Sequence, residues 1–281
     1  MGLPFSRPTA VPSQLLAQAP AIHRVGQLDV RLAVSEAEVA AAQALRYQIF
    51  YDEMGALPSA RMAAVRRDID DYDAICDHLL VVDHGLDGSP QVVGTYRLLR
   101  QSVAQAHRGF YSASEYDLAP LIANSGPASQ LLELGRSCVA PAWRNNTTIT
   151  LLWRGIATYL QRHSIGHMFG CASLHGAEPL LHAAELSYLY HHHLAPPELR
   201  ATAHAGNHVP MNQLDPTAID SRAAARALPP LIKGYLRVGA MVGNGGFVDA
   251  QFNTVDVFVV MPVDRITSRY AGKFVGVGDA E

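Results

Sequence analysis

Two charged side chains stand where an apolar strand is expected. In "LLELGRSCV" (131–139), Glu133 and Arg136 interrupt a run of Leu, Gly, Cys and Val. A charge taken out of water is costly unless it finds a partner. Other charges of this kind precede them: Asp70 and Asp73 flank Tyr72 in "DIDDYD", Arg97 sits in "GTYRLL", and Arg46 lies beside Phe50 in "RYQIF". Three embedded arginines matched by three carboxylates describe a polar site for a ligand carrying both a carboxylate and an amine. The guanidiniums would hold the first, and the acids would hold or deprotonate the second. A solvated face explains any one of these charges taken alone. A buried structural ion pair would equally satisfy Glu133 and Arg136.

These side chains need elements to hold them. "LDVRLAV" (28–34) alternates as a strand does. Ser35 and Glu38 then form a capping box for a helix that runs through "VAAAQALRYQIFYDEM" and stops near Gly55. Helical spacing puts Arg46, Ile49, Phe50 and Glu53 on one face of it. "DHLLVVD" and "VVGTYRLLR" (92–100) read as a hairpin around "HGLDGSPQ", and a looser helical segment, "YSASEYDLAPLIANSG", follows. After the charged strand come a helix in "NNTTITLLWRGIATYLQRHSIG", a buried strand "HMFGCASL" (167–174) and a helix in "AEPLLHAAELSYLYHHH". Residues 194–227 show no firm periodicity. "LPPLIKGYLRVGAMV" then reads as helix, "GNGG" (243–246) as a connector, and "DAQFNTVDVFVVMPV" as a final strand. This order predicts an α/β sandwich around a mixed sheet. The expected organisation is an arm over 1–27, a core over 28–193, and a C-terminal elaboration over 194–281 packed on that core.

In a regular strand Glu133 and Arg136 would point to opposite faces. Gly135 between them changes the expectation, because a glycine inside a strand often marks a bulge, which resets the alternation. A bulge there would bring both charges to one side and splay the neighbouring strand.

Composition narrows the class. Of 281 residues 49% are hydrophobic and 17% charged, enough apolar material for a full core, and the net charge of −3 gives no electrostatic footprint for nucleic acid. Cys76, Cys138 and Cys171 are isolated, as expected of reduced thiols, and Cys138 reads as core rather than nucleophile. No apolar run reaches the length of a membrane span, and the Pro- and Ala-rich opening lacks a signal-peptide core. The expected location is cytoplasmic, with peripheral contact at the inner membrane allowed. The histidines at 191–193, with His182, His204 and His208, lack the glutamate of a zinc hydrolase motif, so no metal is expected. Lys233 and Asp256, embedded in apolar C-terminal runs, read first as structural and second as completing an amino-acid pocket.

The constellation resembles a known family. "RYQIF", "DIDDYD", "GTYRLL" and "LELGRSCV" are similar, in order, to motifs of the acyl-homoserine-lactone synthases, members of the GNAT superfamily. The ornithine-lipid acyltransferase family is a closer match. It shares "DHLLVVD", "GFYSASEYDL", "LELGRSCV", "LLWRGIATYL", "FGCASLHG", "LSYLYHHHLAP", "LPPLIKGYLRVGA" and "FNTVDVFVV", spread over residues 28 to 270.

That resemblance implies a GNAT-like, mostly antiparallel sheet splayed between its fourth and fifth strands, where a pantetheine arm enters. It implies transfer of a 3-hydroxyacyl chain from acyl carrier protein to the α-amino group of L-ornithine, with no tightly bound cofactor. Glu133 would be the base, and Arg46, Phe50, Asp70, Asp73, Arg97 and Arg136 would form the amino-acid site. Backbone N–H groups near Cys138 and Val139 would meet the oxyanion. Arg144, Asn146 and Thr147 would receive the pantetheine phosphate at a helix start. The glycine-rich pyrophosphate cradle usual in coenzyme A-dependent GNAT enzymes is absent from "RNNTTI", which favours a carrier-protein donor. Arg61, Arg66, Arg67, Arg144 and Arg154 are candidates for docking that acidic partner. Three rivals remain: the same chemistry on glutamine, glycine or lysine, a lactone synthase, and a non-catalytic binder of carrier protein or membrane surface.

Overall fold

The structure, a computed structural model, describes residues 20–85 and 90–266. Most of the expected arm and the middle of "HGLDGSPQ" fall outside the described residues. In chain order the first elements are β1 (His23–Val25), β2 (Leu28–Leu32), α1 (Glu36–Tyr47), α2 (Ala60–Val65), β3 (Asp77–Asp83) and β4 (Gln91–Arg100). Next come α3 (Gln101–Ala106), β5 (Tyr116–Asp117), α4 (Ala119–Ala123), β6 (Gln130–Val139), α5 (Asn146–Arg162), β7 (Ile165–His175) and α6 (Ala183–His193). The chain closes with β8 (Thr202–Ala203), β9 (His208–Val209), α7 (Ser221–Ala227), α8 (Pro230–Arg237), β10 (Met241–Asp249) and β11 (Thr254–Pro262).

The strands form one mixed sheet in the order β1-β2-β3-β4-β6-β7-β11-β10-β8-β5, with β9 also on β10. The neighbours are antiparallel except β6 with β7 and β8 with β10. β3 shows how the layers arise: Leu79 and Val81 face the cluster that contains Leu151, Leu152 and Ile156 of α5. Leu80 and Val82, on the opposite face, meet Ala42 of α1. A helix therefore covers each face, as the sandwich reading predicts. α5 sits close because Gly155 has no Cβ; one there would lie 2.7 Å from Val30 Cγ2.

Local signals mostly match. Ser35 Oγ accepts the Glu38 N–H at 3.4 Å, but Glu38 reaches back one residue further than a capping box requires, to the Val34 N–H at 2.6 Å. It also meets Arg31 at 2.7 Å. After α1 the chain widens into a π-helical segment, Gln48–Glu53. Two expectations need correction. Residues 23–25, assigned to the arm, pair with β2 as β1. "GNGG" is no connector: it lies within β10, whose register with β11 shifts between Val242 and Gly246. The glycines let neighbours approach, since a Cβ on Gly243 would stand 2.6 Å from the Ala201 carbonyl oxygen. β10 and β11, from the expected elaboration, continue the same sheet, β11 pairing with β7 from Thr254↔His175 to Pro262↔His167.

The arrangement that positions the site is a wedge. β6 and β7 pair in parallel from Gln130↔Ile165 to Glu133↔Phe169 and no further. Beyond that point β6 stays with β4, while β7 stays with β11. At the apex a Cβ on Gly170 would lie 2.2 Å from the Leu134 carbonyl oxygen, so this close approach requires glycine.

Candidate active site

The bulge in β6 is present, but Gly135 does not make it. Between Thr95↔Cys138 and Arg97↔Gly135, Tyr96 alone stands opposite both Arg136 and Ser137. The left-handed residue is Arg136, with φ of +51°. That conformation disfavours a residue carrying a Cβ, so tertiary contacts must hold it there. Gly135 has no left-handed φ, and a Cβ on it would meet nothing nearer than Arg97 Nε at 4.0 Å. The extra residue brings Glu133 and Arg136 to the same side, where both reach Tyr111: Glu133 through its backbone N–H, Arg136 through its phenol oxygen.

The two charges do not pair with each other. Arg136 belongs to a lattice of three arginines and three aspartates. Arg46, with no exposed surface, holds Asp68 at 2.7 Å and Asp73 at 2.9 Å. Arg97 holds Asp70 at 2.6 Å and Asp73 at 3.3 Å. Arg136 reaches Asp68 and Asp70, each at 3.2 Å. Gln43 and Tyr51 complete it with hydrogen bonds to Asp73 and Asp68. Burial alone would raise Asp68, yet Arg136 and Arg46 hold it below its ordinary value; Asp70 is lowered likewise by Arg97 and Arg136.

This corrects the expected division of labour. Arg46, Asp70 and Asp73 do not line the large cavity beside the wedge, whereas Phe50, Arg97, Glu133 and Arg136 do. Sequence reasoning missed Asp68. Nothing in "DIDDYD" separates it from Asp71, whose side chain is 77% exposed and pairs with Arg108.

Glu133 is 4% exposed, and its carboxylate caps the start of the 3₁₀ turn Tyr111–Ser114. It accepts the N–H groups of Tyr111 and Ser112, both at 2.7 Å, and the Ser112 hydroxyl. Burial raises its pKa, and the hydrogen bonds from Ser112 and Tyr111 oppose that rise. Arg136 lies between two rings, 4.8 Å from the centroids of Tyr111 and Phe252, and Phe252 in turn meets Phe50 edge-on. The Arg136 Nη1 takes no partner among the described residues and is left for the cavity.

That cavity, of about 360 Å³, runs from the bulge to the opposite wall, which β7, β11 and α8 build. The opposite wall carries a second acidic group. One carboxylate oxygen each from Glu115, Asp249 and Asp256 lies within 4.8 Å of the other two. Burial pushes Glu115 up to about 8, with Asp256 adding to the rise, and pushes Asp256 up to about 6. The sequence flagged only Asp256, as an embedded charge. Glu115 and Asp249 look like ordinary surface acids and converge only through the sheet. Lys233, singled out beside Asp256, donates instead to the Arg226 carbonyl at 3.0 Å.

On the donor side Cys138 and Val139 line the cavity, as does Arg144. Burial pushes the Cys138 thiol up to about 12, as suits a core residue. Arg144 grips Glu53 with two bonds of 2.6 and 2.7 Å. The cap of α5 is Asn145, whose side chain accepts the Thr148 N–H at 3.1 Å; Asn146 and Thr147 form the exposed first turn, outside the cavity lining. Of the docking arginines, Arg66 pairs with Asp52. His182, His191 and His204 each bond a backbone carbonyl oxygen.

A family model described as an acetyltransferase (GNAT) domain matches residues 45–154. The chain is 49% identical over 249 residues to the L-ornithine N(alpha)-acyltransferase of Brucella abortus (strain 2308), covering 88% of each protein. It is 48% identical over 255 residues to that of Agrobacterium fabrum (strain C58), covering 90% of this chain and 87% of the relative. Among solved structures, the AHL synthase LasI is similar over 90% of this chain and 98% of its own, at 14% identity and a TM-score of 0.46. Identity at this level over nearly the whole length places the chain in the L-ornithine N(alpha)-acyltransferase family, acyltransferases of GNAT-like fold.

Proposed function

We propose that this chain transfers a 3-hydroxyacyl group from acyl carrier protein to the α-amino group of L-ornithine, forming lyso-ornithine lipid. The observation that carries this reading is the wedge between β6 and β7 opening onto one cavity that holds Glu133, Arg97 and Arg136. The pantetheine thioester enters the wedge from the Arg144 side. Arg136, through its free Nη1, and Arg97 receive the amino-acid carboxylate. The neutral α-amine attacks the thioester carbon, and Glu133, directly or through the Ser112 hydroxyl, takes the proton the nitrogen sheds. The Cys138 N–H is directed into the β4 ladder opposite Thr95, so of the two expected donors the Val139 backbone N–H, directed away from β4, faces the oxyanion. The C–N bond forms, the C–S bond breaks, and the pantetheine thiolate leaves and is protonated.

The start of α5 offers N–H groups for one phosphate and no glycine cradle for a pyrophosphate, which supports the carrier-protein donor. The product is an amphiphile. Leu180 and Leu181, 76% and 73% exposed on one turn, support delivery at a membrane surface. Among the described residues no helix is long and apolar enough to cross a membrane.

The test is to incubate the purified chain with 3-hydroxyacyl carrier protein, or the matching coenzyme A thioester, and ornithine, glutamine, glycine or lysine, and to weigh the products. The expected result is acyl-ornithine from the carrier-protein donor. Preference for another amino acid would overturn the acceptor, preference for the coenzyme A thioester the donor, and no product at all the whole reading.

A further inference from the structure

We propose that Glu115, Asp249 and Asp256 form the receptor for the side-chain ammonium of the acceptor, so that the site selects a diamino acid and leaves its distal nitrogen unacylated. This rests on the ornithine reading above and deepens it.

Among the described residues, none of these three carboxylates makes an ion pair. Like charges gathered without a counter-charge repel and are costly to bury. Glu115 states the case most sharply. It is 6% exposed and lines the cavity, and its Oε2 accepts only the Cys171 thiol at 3.2 Å. Its Oε1 has no partner among the described residues. A thiol is a weak donor, so a buried carboxylate faces the cavity almost unanswered. Asp256, 7% exposed, has the Thr254 hydroxyl at 2.8 Å. Asp249 receives the Gln251 and Phe252 N–H groups at 2.8 and 3.0 Å. These neutral donors orient the acids without neutralising them.

An ammonium fits the vacancy in charge. It carries three N–H donors and no acceptor. Three oxygens set tetrahedrally around such a nitrogen at about 2.8 Å stand about 4.6 Å apart. The three carboxylate oxygens here lie within 4.8 Å of one another. Arg136 and all three acids line the same cavity. One amino acid can therefore place its carboxylate on Arg136 and its distal nitrogen on the acids. Held among anions, that nitrogen keeps its proton and has no lone pair with which to attack the thioester. The α-amine is the less basic of the two, loses its proton more readily than a lysine-type amine, and remains the nucleophile.

The experiment measures kcat/KM for ornithine and for norvaline, which has the same carbon chain without the distal amine, using the full chain and its Glu115→Gln, Asp256→Asn and Asp249→Asn variants. Wild type should favour ornithine. Glu115→Gln and Asp256→Asn should lose roughly 100-fold on ornithine. Norvaline should change less than about threefold, which also reports that the variants are folded. Where a buried substitution abolishes both rates, Asp249→Asn, at the most exposed of the three positions, decides by the same ratio. Equal losses on both substrates, an unchanged ratio, or activity that EDTA removes and Mg²⁺ or Mn²⁺ restores would overturn the proposal. Wild type that makes no acyl-ornithine would instead overturn the acceptor reading on which it rests.

Discussion

Two groups of aspartates and glutamates flank the same arginine, and they differ in how their charge is met. On one side of Arg136, Asp68, Asp70 and Asp73 are neutralised by three guanidiniums, with Arg46 wholly buried among them. On the other, Glu115, Asp249 and Asp256 have neutral donors only. In the first group Asp68 and Asp70 are held below their ordinary values; in the second Glu115 and Asp256 are pushed above theirs. Charges answered within the chain serve architecture; charges left unanswered beside a cavity are available to a ligand.

The largest effect should come from breaking the closed lattice. Arg46→Met takes from Asp68 and Asp73 the wholly buried guanidinium that pairs with both, and removing one partner of a buried pair costs about 3–5 kcal/mol. Denaturant titration should show that loss, with activity falling in step with the folded fraction. A variant with the wild-type midpoint would mean that the lattice does not support the fold.

The open acids should do the opposite. Glu115 has a folded pKa of about 8 against an ordinary 4.5. The folded chain thus binds this proton more tightly than the unfolded chain does. Through this group, stability is lost as pH rises from about 4.5 to about 8, and is flat above that. Glu115→Gln removes the dependence, so its melting temperature relative to wild type should climb across that window. A difference that stays constant with pH would contradict the unanswered charge.

The smallest effect sharpens where the bulge resides. Gly135→Ala adds a methyl group with no neighbour nearer than 4.0 Å, at a position without left-handed φ, so stability should change by less than about 0.5 kcal/mol. A large loss would return the kink to Gly135.

Much of the fold was legible because its signals are local. The 3.6-residue period of α5, the Ser35 cap of α1 and the alternation in the hairpin each arise within a few residues. The polar lattice was partly legible, since Arg97 and Arg136 interrupt apolar strands and stand out by contrast. What escaped depends on tertiary placement. Asp68 and Asp71 look alike in "DIDDYD", and only burial behind Arg46 separates them. The bulge was anticipated but assigned to its glycine, because the contacts that hold Arg136 in a left-handed conformation come from Asp68, Asp70 and Tyr111, remote in sequence. Glu115 and Asp249 carried no signal at all; they meet through β5, β8, β10 and β11. "GNGG" misled because glycines that admit a neighbouring strand are the same letters as glycines that make a turn.

The most direct measurement is a crystal structure of the chain with ornithine bound. The distal nitrogen should lie within hydrogen-bonding distance of at least two of Glu115, Asp249 and Asp256, with the carboxylate on Arg136 and the lattice around Arg46 undisturbed. A distal nitrogen seated instead on Asp68, Asp70 or Asp73, with Arg46 or Arg97 displaced to admit it, would contradict this placement.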